Sequence, residues 1–170
     1  MTLADCPRVS EIRIRGWQKA YQGLIPQPYL DALSVEEDAA RRRERFGRGG
    51  GEVVNLVAEL GGEVVGWACH GPYRDDEVRA GDVELYAIYV CPDRIGTGVG
   101  HALLSESVER CAAAGRERML LWVLKGNAPA RRFYERAGFG PDGAEEPFDV
   151  DGVAVPEVRY TGGVSSLASR

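Results

Sequence analysis

The segment Gly96-Thr97-Gly98-Val99-Gly100 constrains this chain more than any other. It stands between a strand-like run, Val83 to Val90, and a helical pattern from about Gly98 to Ala114. Glycines let backbone approach a ligand closely, and the first turn of a helix offers unpaired N–H groups to phosphate oxygens. The chain must therefore put a strand end, a tight turn and a helix start at one point. That point is either a phosphate-binding loop or a plain strand-to-helix turn. A Walker loop needs Gly-Lys-Ser/Thr, and here Gly100 is followed by His101-Ala102. A dinucleotide fingerprint needs a glycine or alanine where His101 and Leu103 stand. Both common nucleotide motifs fail.

The rest of the pattern is mixed. Val9, Ile12, Trp17, Ala20 and Leu24 recur at helical spacing until Pro26 and Pro28 stop them. Ser34-Val35-Glu36-Glu37 is a capping box that predicts a helix from Val35 to about Phe46. Gly47 to Gly51 reads as a loop. Val53 to Leu60 and Glu63 to His70 are apolar runs joined by Gly61-Gly62, a hairpin signature. Arg74 to Asp82 is a charged connector. Met119 to Leu124 is wholly apolar, as in a strand buried on both faces. A short helix is expected from Pro129 to Ala137, then two strands within Phe148 to Tyr160 around Asp151-Gly152. The sequence thus predicts one α/β domain over residues 1–161. Residues 162–170 read as a flexible tail.

Composition sets the outer bounds. At 170 residues and 44% hydrophobic, the chain can bury roughly 70% of its unfolded surface, and disorder is excluded. No run reaches the ~18 apolar residues of a membrane span. Met1 to Pro7 lacks a basic-then-apolar leader, which points to the cytoplasm. A net charge of −5 argues against nucleic acid. The run Arg41-Arg42-Arg43-Glu44-Arg45 reads as the solvated face of a helix. Cys6, Cys69, Cys91 and Cys111 form no CxxC pair, and the two histidines complete no ligand set, so no metal is expected. Cys69 and His70 are strand neighbours pointing to opposite faces, which disfavours a Cys–His nucleophile.

Two stretches carry a family likeness. Val90 to Leu104 resembles the acyl-CoA loop of the GCN5-related N-acetyltransferases, the GNAT family. That loop reads Gln/Arg-x-x-Gly-x-Gly/Ala, and Gly98 and Gly100 match its glycines. Asn127 to Phe139 resembles the family's N-xx-A-xx-F-Y-xxx-GF helix. The likeness runs from about Leu3 to Tyr160. Two positions depart from the pattern. Ile95 stands at the Gln/Arg position, with Arg94 one residue displaced. Family members open with a strand before this helix, whereas Met1 falls almost directly ahead of it here, so either that first strand is missing or the true start lies upstream.

The resemblance implies the GNAT acyl-CoA N-acyltransferase fold: a mixed, strongly twisted central sheet, splayed near the loop and flanked by helices. It implies acetyl-CoA as acyl donor and a small-molecule or protein amine as acceptor, and it is compatible with a homodimer. By the same resemblance, cofactor contacts fall to Ile88, Tyr89 and Val90 on the strand. Further contacts fall to Ile95, Gly96, Thr97, Gly98, Val99, Gly100 and His101 in the loop, and to Asn127, Ala130, Phe133 and Tyr134 in the helix. Glu84 is the candidate base and Tyr134 the candidate acid. Trp17, Tyr21 and Tyr29, with Glu84 and Tyr86, would line the acceptor cleft. Glu157, Arg159 and Tyr160 are lesser candidates for that cleft. Each has a plainer reading: Glu84 holding a loop, Tyr134 and Phe133 packing, Asn127 capping a helix. The rival function is a non-catalytic acyl-CoA-binding module.

Overall fold

The computed structural model describes residues 1–48, 51–74 and 81–169. Parts of two expected connections, 49–50 of the glycine-rich loop and 75–80 of the charged connector, lie outside the described residues, as does 170. The strands are Val54–Leu60 (β1), Glu63–Pro72 (β2), Asp82–Val90 (β3), Arg118–Leu124 (β4), Gly140–Val150 (β5) and Val153–Gly163 (β6). They form one sheet in the order β1-β2-β3-β4-β6-β5. Every pairing is antiparallel except β3 with β4. The helix Val99–Ala113 (α4) connects these two strands, and parallel neighbours require such a crossover.

Helices cover both faces. Cys6–Ala20 (α1) buries Val9 and Ile12 against Val65, Trp67 and Cys69 of β2. Gln27–Asp31 (α2) follows the proline break and buries Leu30. On the opposite face lie α4, Ala128–Arg136 (α5) and Val164–Ala168 (α6). There Leu104, Val108, Tyr134, Val164 and Leu167 pack against Leu85, Leu121, Val123 and Tyr160. A 3₁₀ turn at Leu3–Asp5 leads directly into α1, and the first strand of the described sheet is β1.

Helix Val35–Gly47 (α3) starts as the capping box predicts, with Ser34 Oγ accepting from Glu37 N at 3.2 Å. Its basic run corrects the sequence reading. Arg41, Arg43 and Arg45 are exposed, whereas Arg42 is buried. Arg42 donates to Asp38 at 3.1 Å and lies 4.2 Å over the Trp67 ring. A guanidinium tolerates this because its charge is paired and its flat face is apolar enough to stack.

Two further expectations change. The C-terminal segment is no loose tail: β6 runs to Gly163, and the turn of α6 buries Val164 and Leu167 in the core. Strand β5 begins at Gly140, not near Phe148. It is an edge strand with irregular register between Pro141 and Glu145. An edge tolerates the prolines and glycine that read as loop.

Two irregularities of β3 position the site. It pairs with β4 over only three residues on each strand, Asp82–Glu84 against Arg118–Leu120, and then the strands part. It also bulges at Tyr86, since Cys69 faces Ala87 while His70 faces Leu85. A bulge bends its strand and re-aims the side chains beyond it.

Candidate active site

A cavity of about 1450 Å³ opens where β3 and β4 part. Pockets for drug-sized ligands run roughly 300–1,000 Å³, so this one has room for a large cofactor and a second molecule. It runs from the glycine loop, between β3 and β4, to the aromatic residues of α1 and α2.

The loop end is built from backbone. Gly98 is the N-cap of α4 at φ 92°, a left-handed conformation that disfavours any side chain. Gly96 is left-handed as well, at φ 84°. Together they turn the chain into the start of α4, whose first N–H groups have no partner within the helix, at the cavity mouth, where Gly96, Gly98, Gly100 and His101 line the wall. Ile95 lines it too and is 62% exposed, leaving backbone as the polar surface of the loop at that position. Two of the expected loop contacts turn away. Thr97 Oγ1 donates to Arg94 O at 2.7 Å and is spent on the turn itself. Val99 points into the core near Leu103, and neither residue lines the cavity.

Helix α5 forms the other wall. Asn127 caps it, its side-chain oxygen accepting from Ala130 N at 3.3 Å. Pro129, Ala130, Phe133 and Tyr134 present the apolar side. Tyr134 is buried between Phe133 and Phe139, at ring distances of 5.2 and 6.0 Å. Burial pushes its phenol well above the usual tyrosine range, so it keeps its proton. Arg132 and Arg136, one helical turn apart on this wall, were not singled out from sequence. Their i,i+4 spacing beside the glycine loop was the available signal.

The inner end is aromatic. Trp17 packs edge-on to Tyr21 at 5.0 Å and Phe148 at 6.1 Å, with Tyr29 at 6.3 Å. Arg13 lies 4.6 Å over the Trp17 ring. Tyr21 and Tyr89 share a hydroxyl–hydroxyl hydrogen bond of 3.1 Å, and burial raises both phenols. Tyr89 can sit there because Gly16 faces it: a Cβ at Gly16 would come within 2.9 Å of the ring. A mid-helix glycine costs about 1 kcal/mol against alanine; in return α1 approaches β3 closely.

Glu84 lines the cavity too, but not as a free carboxylate. It is 2% exposed. Arg74 donates to it from Nε at 3.1 Å, from a terminal guanidinium nitrogen, and from its backbone N at 3.4 Å. The guanidinium lies 4.6 Å over the Tyr86 ring. Burial, followed by the Glu84 charge, pushes the Tyr86 phenol up to about 12. Opposite, Glu157 of β6 lines the cavity beside Glu146 of β5, its register partner. Burial, then the Glu146 charge, pushes the Glu157 carboxyl up to about 7. Of the other last-strand candidates, Arg159 is held at the rim by Asp142 at 2.7 Å and Tyr73 at 2.9 Å. Tyr160 is fully buried on the opposite face, bonded to Glu135 and Arg131.

A parted parallel strand pair, a glycine loop at a helix start and a capped helix closing the far wall together define an acyl-CoA-type cleft. The family model for the acetyltransferase (GNAT) family matches residues 16–139, and the chain belongs to that family. It is 32% identical over 157 residues to the uncharacterized N-acetyltransferase YuaI of Bacillus subtilis, covering 92% of this chain and 86% of that protein. It is 35% identical over 89 residues to the L-methionine sulfoximine/L-methionine sulfone acetyltransferase of Pseudomonas aeruginosa, covering 52% of this chain and 51% of that one. The fold matches the solved structure of yncA from Salmonella typhimurium with its cofactor acetyl-CoA at a TM-score of 0.71 and 23% identity, covering 96% of this chain and 91% of that one.

Proposed function

We propose that the protein transfers the acetyl group of acetyl-CoA to the nitrogen of a primary amine by direct attack. The observation that carries this reading is the gap between β3 and β4, with the glycine loop at its mouth and Tyr134 on its wall. The loop's N–H groups receive the pyrophosphate, and a helix start favours that charge by roughly 0.3–1 kcal/mol per group. Because these donors are backbone, Ile95 costs little binding. Arg132, Arg136 and His101 offer charge and hydrogen bonds to the remaining phosphate. The pantetheine arm extends β3 as an added strand along Ile88 to Val90. This places the thioester beside Tyr89.

Chemistry then needs three things. The thioester oxygen needs a donor as charge develops, supplied by a backbone N–H at Tyr89 or Val90. The departing thiolate needs a proton, supplied by the Tyr134 hydroxyl. The amine, like lysine with a pKa near ~10, must lose a proton to a cleft carboxylate. The acceptor enters past Trp17, Tyr21, Tyr29 and Tyr86.

The test is thermal unfolding with acetyl-CoA, CoA, ATP and NAD, then thiol release over an amine panel. The panel includes L-methionine sulfone, a polyamine and a peptide with a free N-terminus. Ligand at 100 times Kd stabilises by about 2.7 kcal/mol, worth roughly 5–10 °C in a domain of this size. A shift with the CoA species alone, plus thiol release, is expected. A shift with no thiol release would favour a binding module, and no CoA shift would sink both. Tyr134→Phe should lower kcat by at least tenfold with little change in acetyl-CoA affinity.

A further inference from the structure

Two carboxylates border the reaction end of the cleft, and their surroundings differ. Glu84 accepts three N–H donors from Arg74 and is sealed beneath it. A general base needs a lone pair free to meet the proton. On Glu84 both oxygens are already engaged by the Arg74 guanidinium, and protonation would remove the charge that holds that ion pair. Glu157 has no such commitment. The ion pairs of β5 and β6 among the described residues join Lys125 to Glu145 and Arg159 to Asp142, and neither reaches Glu157.

Position points the same way. Glu157 stands opposite Leu124, the last residue of β4, on the far side of the gap from Tyr89. Pantetheine lying along β3 would present the thioester between them. An amine attacking from the aromatic end would then find Glu157 on one flank and Tyr134 at the sulfur.

We propose that Glu157, not Glu84, accepts the proton of the attacking amine, and that Glu84 is a positioning residue acting through Arg74. This rests on the acetyltransferase reading above. The amine nitrogen bonds to the thioester carbon and the C–S bond breaks. The nitrogen's proton passes to the Glu157 carboxylate, and the thiolate takes one from Tyr134. Solvent then returns both groups to their starting states. Glu84 fixes the Arg74 guanidinium at the cleft wall, where its exposed edge meets an anionic or carbonyl group of the acceptor. The groups facing Glu157 are Glu146 from β5, Arg74 and Glu84 across the cleft, Tyr89 from β3 and Tyr21 after α1. Burial and the two acidic neighbours hold its proton, and Arg74 opposes them. A base titrating near the working pH is the effective one.

The first measurement needs no acceptor. Carboxyl carbons of 13C-glutamate-labelled protein with bound CoA are titrated by NMR, using E157Q to assign the signal. A Glu157 midpoint between about 6 and 8 is expected; an ordinary value near ~4.3 overturns the proposal. The second uses whichever panel amine releases thiol with wild type. E157Q should lose about 10²-fold or more in kcat and lose the acidic limb of the kcat/KM profile. E157D should restore part of both. E84Q should keep the limb and mainly raise the acceptor KM. A limb retained in E157Q, or lost in E84Q, overturns the assignment. Failure of every panel amine would count against the acetyltransferase reading, while the NMR midpoint still decides Glu157.

Discussion

Two sites among the described residues set a buried carboxylate beneath an arginine that lies over an aromatic ring. In the scaffold, Asp38 is 3% exposed and Arg42 lies over Trp67. In the cleft, Glu84 is 2% exposed and Arg74 lies over Tyr86. The difference is on the arginine side. The Arg42 side chain is 9% exposed, with Ser10 Oγ accepting from its Nε and Arg13 reinforcing Asp38 at 3.1 Å. The Arg74 side chain is 66% exposed and one face is open to the cavity. One chemistry therefore does two jobs. Enclosed, it fixes α1 and α3 against β2; half-open, it offers a rigid cation to whatever enters.

Breaking the enclosed pair should have the largest effect. Asp38→Ala leaves Arg42 buried without a counter-charge, which costs about 3–5 kcal/mol. A fall in Tm of roughly 10 °C is the expected reading by calorimetry. Burial works to raise the Asp38 pKa, but the Ser10 hydroxyl, Arg13 and Arg42 outweigh it and hold the carboxyl below its ordinary value. The stabilisation is therefore present above the unfolded-state value and lost as pH falls through the folded one. The gap between wild type and D38A should narrow in acid. A smaller loss is expected for the double variant D38L/R42M, which removes both charges and keeps the volume. If it is no better than D38A, the pair is net stabilising in its own right.

The half-open pair should cost less. Arg74→Met leaves a buried carboxylate that water can reach once the guanidinium is gone, so about 1 kcal/mol or less is expected. The acceptor KM should rise severalfold in the same variant, which separates the two arrangements by function. A Tm loss matching that of D38A would erase the contrast. The smallest effect is Glu157→Gln on stability. The folded pKa lies above the unfolded one, so wild type loses stability as pH rises from about 4.5 through about 7. Solvent screening at this partly exposed carboxyl takes away most of the gain such a shift would give a fully buried group, so E157Q should match wild type at pH 4 and exceed its Tm by about 1–3 °C at pH 8.

The sequence and the structure agree where a local rule acts alone. The capping box at Ser34, the hairpin at Gly61-Gly62 and the strand–loop–helix around Gly98 each depend on residues within a few positions of one another. They fail where distant partners decide. Residues 162–170 read as loose because Gly162-Gly163 suggests flexibility. Yet a Cβ at Gly162 would come within 3.0 Å of Leu167, so the glycine is there for close packing. The spacing of Val164 and Leu167 was the helical signal overlooked. Arg42 was misplaced because its partners, Asp38 aside, lie on other elements. In the site, residues of both motif segments and Glu84 line one cavity. The engagement of Glu84 by Arg74 joins residues ten positions apart, and neither it nor the bulge at Tyr86 leaves a trace in the residue pattern. The surroundings of Glu157 are illegible for the same reason, since its neighbours come from other strands.

The three-residue contact between β3 and β4 has a consequence for exchange with heavy water. Beyond Glu84, β3 has a ladder on its β2 side alone. Along Ala87 to Val90, amides aimed at β2 should exchange deuterium slowly, and those aimed at the gap should exchange quickly. An extended occupant would slow the second set and leave the first nearly unchanged. The signature would be an alternating pattern, every second residue, which separates a bound strand-like ligand from general tightening of the domain.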